Sequence, residues 1–163
     1  MNVFNFSEDI DVFVQEKDMD DIDKSLFLEK FKNNPSKTTL GFLVIGGAFS
    51  EGIDLVSDRL IGAMIIGVGM PKINFKSDKI SEYFKNNNQP GYEYAYLNPG
   101  LNKVMQAMGR VIRDENDRGV ILLLDERYAH RLYQDLFSLE ERPYEIVLNS
   151  EEVKENVINF FKK

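Results

Sequence analysis

The chain has 163 residues, of which 43% are hydrophobic and 29% charged, with no cysteine and a formal net charge of −7. That composition suits one soluble, cytoplasmic domain with a real core; it rules out disulfides, thiolate chemistry and zinc or iron–sulfur ligation by cysteine within the chain, and no apolar run reaches the roughly 18 residues of a membrane span. The negative charge disfavours general nucleic-acid binding, which comes mostly from neutralised phosphates, so any such role needs a local site or a partner segment.

Ile10–Gln15 is a short β-rich run and predicts a strand. Asp20, Asp21 and Asp23 then open a helix at its positive end, carrying Ile22, Leu26, Phe27 and Phe31 inward until Asn33-Asn34-Pro35 stops it. Three near-continuous apolar runs, Gly41–Gly46, Gly62–Val68 and Gly119–Leu124, have the character of buried parallel strands. Between the second and third lies a polar stretch, Lys72 to Pro90, with one short helix expected around Lys79–Lys85 and a loop at Asn86-Asn87-Asn88. Tyr92, Tyr94 and Tyr96 alternate, which suits a half-buried β-like segment and also suits stacking on bases. Asn98 as N-cap and Pro99 as first helical residue predict a helix running through Arg113. Glu126–Phe137 predicts another helix with His130 on its surface, Pro143–Leu148 a last strand, and Ser150 with two glutamates the start of a terminal helix. Strands alternating with helices give an α/β fold of three layers, α/β/α, with a mainly parallel sheet, read as one domain over 1–163 with an inserted surface segment at 72–95.

Three constellations carry candidate chemistry. Gly46-Gly47-Ala-Phe49-Ser50-Glu51-Gly52-Ile-Asp54 follows a buried strand, at the edge where open α/β sheets bind ligands. It reads equally as a plain strand-to-helix loop with Asp54 as a cap. Gln106, Arg110 and Arg113 stand four and three residues apart, which on an α-helix stacks them on one face, with Leu101, Val104, Met105, Met108 and Ile112 opposite. Two guanidiniums so placed suit a polyphosphate; a solvated face paired to Asp114, Glu115 and Asp117 is the plainer alternative. Gly109 in mid-helix costs about 1 kcal/mol against alanine, which makes sense where a phosphate or backbone must come close. Asp125 ends the third run, where an N-cap is the favoured role and a ligand contact the other. The single histidine excludes a triad, Gly67-Val-Gly69 lacks the rest of a dinucleotide fingerprint, and no P-loop is present.

Together these residues resemble a known family. Phe49-Ser-Glu-Gly-Ile-Asp54 with Leu60 through Pro71 is similar to motif V of the XPD/DinG helicases of superfamily 2. Gln106-x-x-Gly-Arg110-x-x-Arg113, then Asp117-x-Gly119 and Leu124-Asp125-x-Arg127-Tyr128, resembles their motif VI and its trailing strand, and the likeness runs from about Val12 to Phe137. The resemblance implies the second RecA-like motor domain of an ATP-dependent DNA helicase with a role in repair or replication-fork maintenance. By it, Arg110 and Arg113 are arginine fingers and Gln106 bonds the phosphate or the surroundings of the attacking water. Glu51, Gly52, Asp54 and Gly109 line the nucleotide cleft, and Phe49 and Ser50 lie nearest single-stranded DNA. ATP, Mg2+ and an iron–sulfur cluster would be held by the first motor domain, which carries the P-loop; this chain is then an excised domain or one part of a split protein, inactive as an ATPase alone. The guanidiniums are expected to face a groove at the sheet's carboxyl rim. A non-catalytic RecA-like module that docks on another protein is the alternative of a different class.

Overall fold

In the computed structural model, residues 9–31, 35–47, 49, 59–112, 117–137 and 144–162 are described. Strand β1 (Ile10–Val14) pairs in parallel with β2 (Thr38–Phe42), Ile10 opposite Thr38. Strand β3 (Gly62–Ile66) pairs in parallel with β4 (Val120–Leu124), Gly62 opposite Val120. Every strand pairing among the described residues is parallel, and a parallel pair needs a crossover. Helix α1 (Asp21–Leu28) makes the first one. Helices α2 (Phe75–Asn86) and α3 (Asn98–Met108) lie within the second.

The start of α1 follows from its acids. Asp20 accepts from the backbone N–H groups of Ile22 and Asp23 at 2.8 Å, and Asp23 reaches back to the Asp20 N–H. Its far end is held by Arg59, which donates to the carbonyls of Phe31 and Leu28 at 2.7 and 3.2 Å. Phe27 and Phe31 are buried with Phe49, as an aromatic cluster. Ile22 and Leu26, expected inside, are 70% and 52% exposed. At 3.6 residues per turn Leu26 sits roughly 100° round the helix from Phe27, and this short helix buries only one narrow stripe.

The second crossover departs most from expectation. Residues 91–108 are helical without a break, and Glu93–Leu97 form a π-helical turn within that run. Tyr92, Tyr94 and Tyr96 are therefore helical, not β-like. Asn98 is no N-cap: it has αR geometry inside the run and its N–H donates to the Glu93 carbonyl, five residues back. The wider turn falls where Pro99 has no N–H to give, so the ladder changes register without a stranded donor. Helix α2 is longer than expected and begins at Asn74, whose side chain caps the Ser77 N–H at 3.0 Å.

Packing of α3 on β3 sets the main core. Leu97, Leu101 and Val104 lie against Ile65 and Val68, with Tyr128, Tyr133 and Phe137 closing the other side. Ile45, just past β2, packs on the same cluster and links the two strand pairs. Gly100 has no room for a side chain: a Cβ there would stand 2.8 Å from the Val68 carbonyl oxygen and 3.0 Å from Met70 backbone atoms.

Further along, the expected Glu126–Phe137 helix is split. A 3-10 turn (Glu126–Ala129) is followed by α4 (Arg131–Phe137), with His130 extended and exposed between them. Tyr144–Leu148 forms no strand; the segment is mostly exposed, and Pro143 lies outside the described residues. Helix α5 (Ser150–Lys162) is capped by Asn149 rather than Ser150, the Asn149 side chain accepting from Glu151 and Glu152 N–H groups.

Gly100→Ala should lower stability by about 1–3 kcal/mol, the usual range for overpacking. Gly109→Ala, where a Cβ meets only ordinary contact at 3.4 Å, should change it by less than about 1 kcal/mol. Urea denaturation of both variants checks this; equal losses would contradict the packing account.

Candidate functional site

The segment leaving β2 is shaped by two glycines and one glutamine. Gln15 receives the Val44 N–H on Oε1 at 3.0 Å, and its own N–H donates to Phe42 O at 2.9 Å. That capture ends the β2 ladder at Phe42, so the strand lies earlier than the Gly41–Gly46 run predicted. Gly46 adopts φ +71°, and a Cβ there would press on the Lys103 side chain at 2.9 Å. Sequence reasoning missed both Gln15 and Lys103, because neither belongs to a recognisable motif.

Phe49 is 5% exposed, its ring centroid 4.7 Å from that of Phe27. Its ring packs with Phe27 and Phe31 in the aromatic cluster. Ser50, Glu51, Gly52 and Asp54, with Arg113 of the second constellation, lie outside the described residues.

Helix α3 carries the other candidates. It starts beside Val68–Met70, at the carboxyl end of β3, and runs down the sheet. Lys103 lies over Gly46, Gln106 is exposed one turn on, and Gly109 is exposed as the C-cap with φ −67° and ψ −2°. Arg110 and Val111 donate to carbonyls three residues back, Ala107 and Met108, at 3.2 and 3.1 Å. The helix thus tightens and stops at Met108, five residues short of the expected Arg113. Two expectations are corrected by this ending. Gly109 is a helix terminus rather than a mid-helix glycine, and Arg110, half-buried, stands in a turn beyond the α-helical row of Gln106. Val111 and Ile112 reach Gly119, next to the Ile61 carbonyl. Arg110 therefore lies toward the amino ends of β3 and β4, away from the carboxyl rim where it was expected. Of the apolar side, Leu101 and Val104 are buried and Met108 is partly so, whereas Met105 and Ile112 are exposed.

At the carboxyl rim itself stand Gly67 and Gly69, both with positive φ, and Asp125. Asp125 caps the 3-10 turn through the Arg127 N–H and takes Arg127 Nε and Nη2 on its two oxygens, each at 2.7 Å. The bidentate bond holds the Asp125 carboxyl down at about 2, against 3.8 for an ordinary aspartate, and holds the Arg127 guanidinium above its usual value. The cap role is the one the structure shows. Tyr128 donates to Gly67 O at 2.7 Å, tying the ends of β3 and β4, and burial pushes its hydroxyl up to about 12. Among the described residues no group of three His, Cys, Asp or Glu side chains is placed to hold a metal ion, and no helix is long and apolar enough to cross a membrane.

The architecture matches a solved XPD helicase structure with a TM-score of 0.62 over 81% of this chain and 24% of that one, at 22% identity. A likeness at that identity speaks for the fold alone: a RecA-like α/β domain. Residues 4–144 match the family described as the helicase C-terminal domain. The chain belongs to that family, as the C-terminal domain of the XPD/DinG type. It is 33% identical over 129 residues to a regulator of telomere elongation helicase 1 homolog from Oryza sativa subsp. japonica, covering 72% of this chain and 12% of that protein. It is 35% identical over 130 residues to the ATP-dependent DNA helicase chl1 of Schizosaccharomyces pombe, covering 72% and 15%. With the ATP-dependent DNA helicase DinG of Photobacterium profundum it shares 31% over 112 residues, covering 68% and 16%. The aligned part is thus a small fraction of each relative.

A depressed carboxyl stabilises the fold above its unfolded pKa, and that contribution is lost as pH falls through the folded value. Asp125→Asn should therefore cost stability at neutral pH, and its gap from the parent chain should close between pH 3.8 and about 2. Denaturant midpoints across that window test this; a constant gap would contradict it.

Proposed function

We propose that this chain is the second motor lobe of an ATP-dependent DNA helicase, one that completes rather than houses the ATPase site. The P-loop of a companion motor domain holds ATP and Mg2+, and this lobe brings Arg110 and Arg113 to the γ-phosphate. Gln106 bonds the phosphate or the region of the attacking water. Glu51, Gly52 and Asp54 line the same cleft. With no cysteine in this sequence, any iron–sulfur cluster of the motor belongs to the companion as well.

Phosphoryl transfer asks little covalent chemistry of the protein; it needs cations where charge develops. Guanidiniums suit that task because they stay protonated and offer planar forks to phosphate oxygens. Their supply from a second lobe makes hydrolysis depend on closure of the cleft, and release of phosphate loosens it. Single-stranded DNA, gripped by both lobes, then advances with each cycle. Phe49 serves this by anchoring its segment on Phe27, so that the strand contact falls to Ser50 and the neighbouring backbone.

One observation carries the proposal: Gly109 is exposed, has an ordinary φ, and meets nothing among the described residues that requires glycine there. The described residues give no reason for it. A phosphate or a facing backbone laid against the end of α3 does. The cleft-facing surface is then the side of α3 from Lys103 at the rim, with Arg110 in the turn beyond its end.

In a polypeptide that joins this chain to a P-loop motor domain, Arg113→Ala should lower DNA-stimulated ATP hydrolysis by about 10³–10⁵ and leave DNA affinity nearly unchanged. The 163-residue chain alone should hydrolyse no ATP above background. An Arg113→Ala protein of undiminished activity would favour the non-catalytic docking module instead.

A further inference from the structure

Helix α2 is built inside out. Surface helices ordinarily bury an apolar stripe and show water a polar one. Here Ser77 and Ser81 are buried, and Asp78 accepts from the Tyr96 hydroxyl. A Cβ on Gly91 would overlap the Ser81 carbonyl, so α2 is pressed close to the helix that starts there. The Phe84 ring stacks on Tyr94 at 4.1 Å and 10° and fixes the pair. The outer face carries Phe75, 78% exposed, and Tyr83, 64% exposed, beside an open cavity of about 410 Å³ shared with Lys76, Lys79 and Ile80.

Positive charge outnumbers negative along this segment, and Glu82 is the acid that shares the outer face. Segment 72–88 holds four lysines and two acids in a chain of net charge −7. Of the acids, Asp78 is turned to Tyr96 and Glu82 is paired with Lys79 at 2.6 Å. Phe75, Lys79 and Tyr83 succeed one another at four-residue spacing, a ring–cation–ring row, with the Lys79 ammonium 5.8 Å from the Phe75 centroid. Lys76 flanks that row. Open ring faces with cations between them hold unpaired bases and their phosphates, and tolerate any sequence because every base has a π-face.

We propose that the outer face of α2 is a second contact for single-stranded nucleic acid, a stacking platform separate from the Phe49–Asp54 segment and from α3. It rests on the reading of this chain as part of a motor that tracks a single strand. The area explains how an acidic domain handles a polyanion: binding is local and does not depend on net charge.

Equilibrium fluorescence anisotropy of a labelled oligothymidine with the full chain, at low salt and without nucleotide, tests it. The parent chain should bind. Phe75→Ala and Tyr83→Ala should each weaken binding about fivefold to a hundredfold. Lys76→Glu should weaken it too and flatten the salt dependence. All three side chains are exposed, so circular dichroism should show the fold unchanged. No binding by the parent, or unchanged affinity in the three variants, overturns the proposal. So does a polyglutamate peptide whose binding the same variants abolish while oligothymidine binding stands, since that assigns the face to an acidic protein. Failure of the motor reading shows separately, as ATP hydrolysis indifferent to Arg113 while oligothymidine binding persists.

Discussion

Backbone lies directly on backbone where α3 meets the exit of β3. Gly69, at φ +64°, turns the chain beneath the helix, and Gly100 lets the helix settle against the Val68 carbonyl. Any side chain at Gly100 would prise the two apart. Val104 and Leu101, almost wholly buried, then lock the helix against Ile65 and Val68. With its start and its buried stripe fixed, the rest of α3 has no freedom of direction. Lys103 over Gly46 and then Gln106 come at fixed rise and rotation, and Gly109 and Arg110 follow in the turn that closes the helix. The placement of the proposed phosphate contacts is therefore a consequence of one glycine-lined contact.

The π-helical turn upstream belongs to the same device. It lets a helix that begins at Gly91 pass Pro99 without losing its ladder and still present Leu97, Leu101 and Val104 to the core. Such turns recur at functional sites because they re-aim the helix downstream of them. The Phe84–Tyr94 stack and the Tyr96–Asp78 bond brace α2 to this turn. A strand held on α2 and a nucleotide held against α3 would thus bear on one continuous helix, Gly91 to Met108, from opposite ends.

Much of this was legible in the residues. The apolar runs after Gly62 and Gly119 are parallel strands because buried strands need little alternation, and the aspartates before Ile22 cap α1 as their chemistry requires. Motif spacing located the domain within its family through Gln106, Gly109 and Arg110. What could not be read depends on distant partners. Alternating tyrosines look like a strand until Asp78 and Phe84 hold them in a helix. Residues 126–137 contain no helix breaker, yet the Tyr128 hydroxyl must reach Gly67, and the chain extends at His130. Tyr144–Leu148 has strand-forming residues but no ladder to join, and β-propensity is mainly a response to neighbours. The site residues divide the same way. Gln15 and Lys103 are visible only in three dimensions, and Arg110 lies off the carboxyl rim because α3 starts there and runs down the sheet.

The central claim is that this lobe recognises a nucleotide at the moment charge develops on its γ-phosphate. The most direct measurement is the affinity of the joined two-domain polypeptide for ADP with aluminium fluoride, a mimic of the transferring phosphoryl group, against its affinity for ADP alone. The account predicts that the mimic binds more tightly and that Arg110→Ala and Arg113→Ala remove the difference while ADP affinity stays put. Equal preference for the mimic in the parent and in both variants would contradict it.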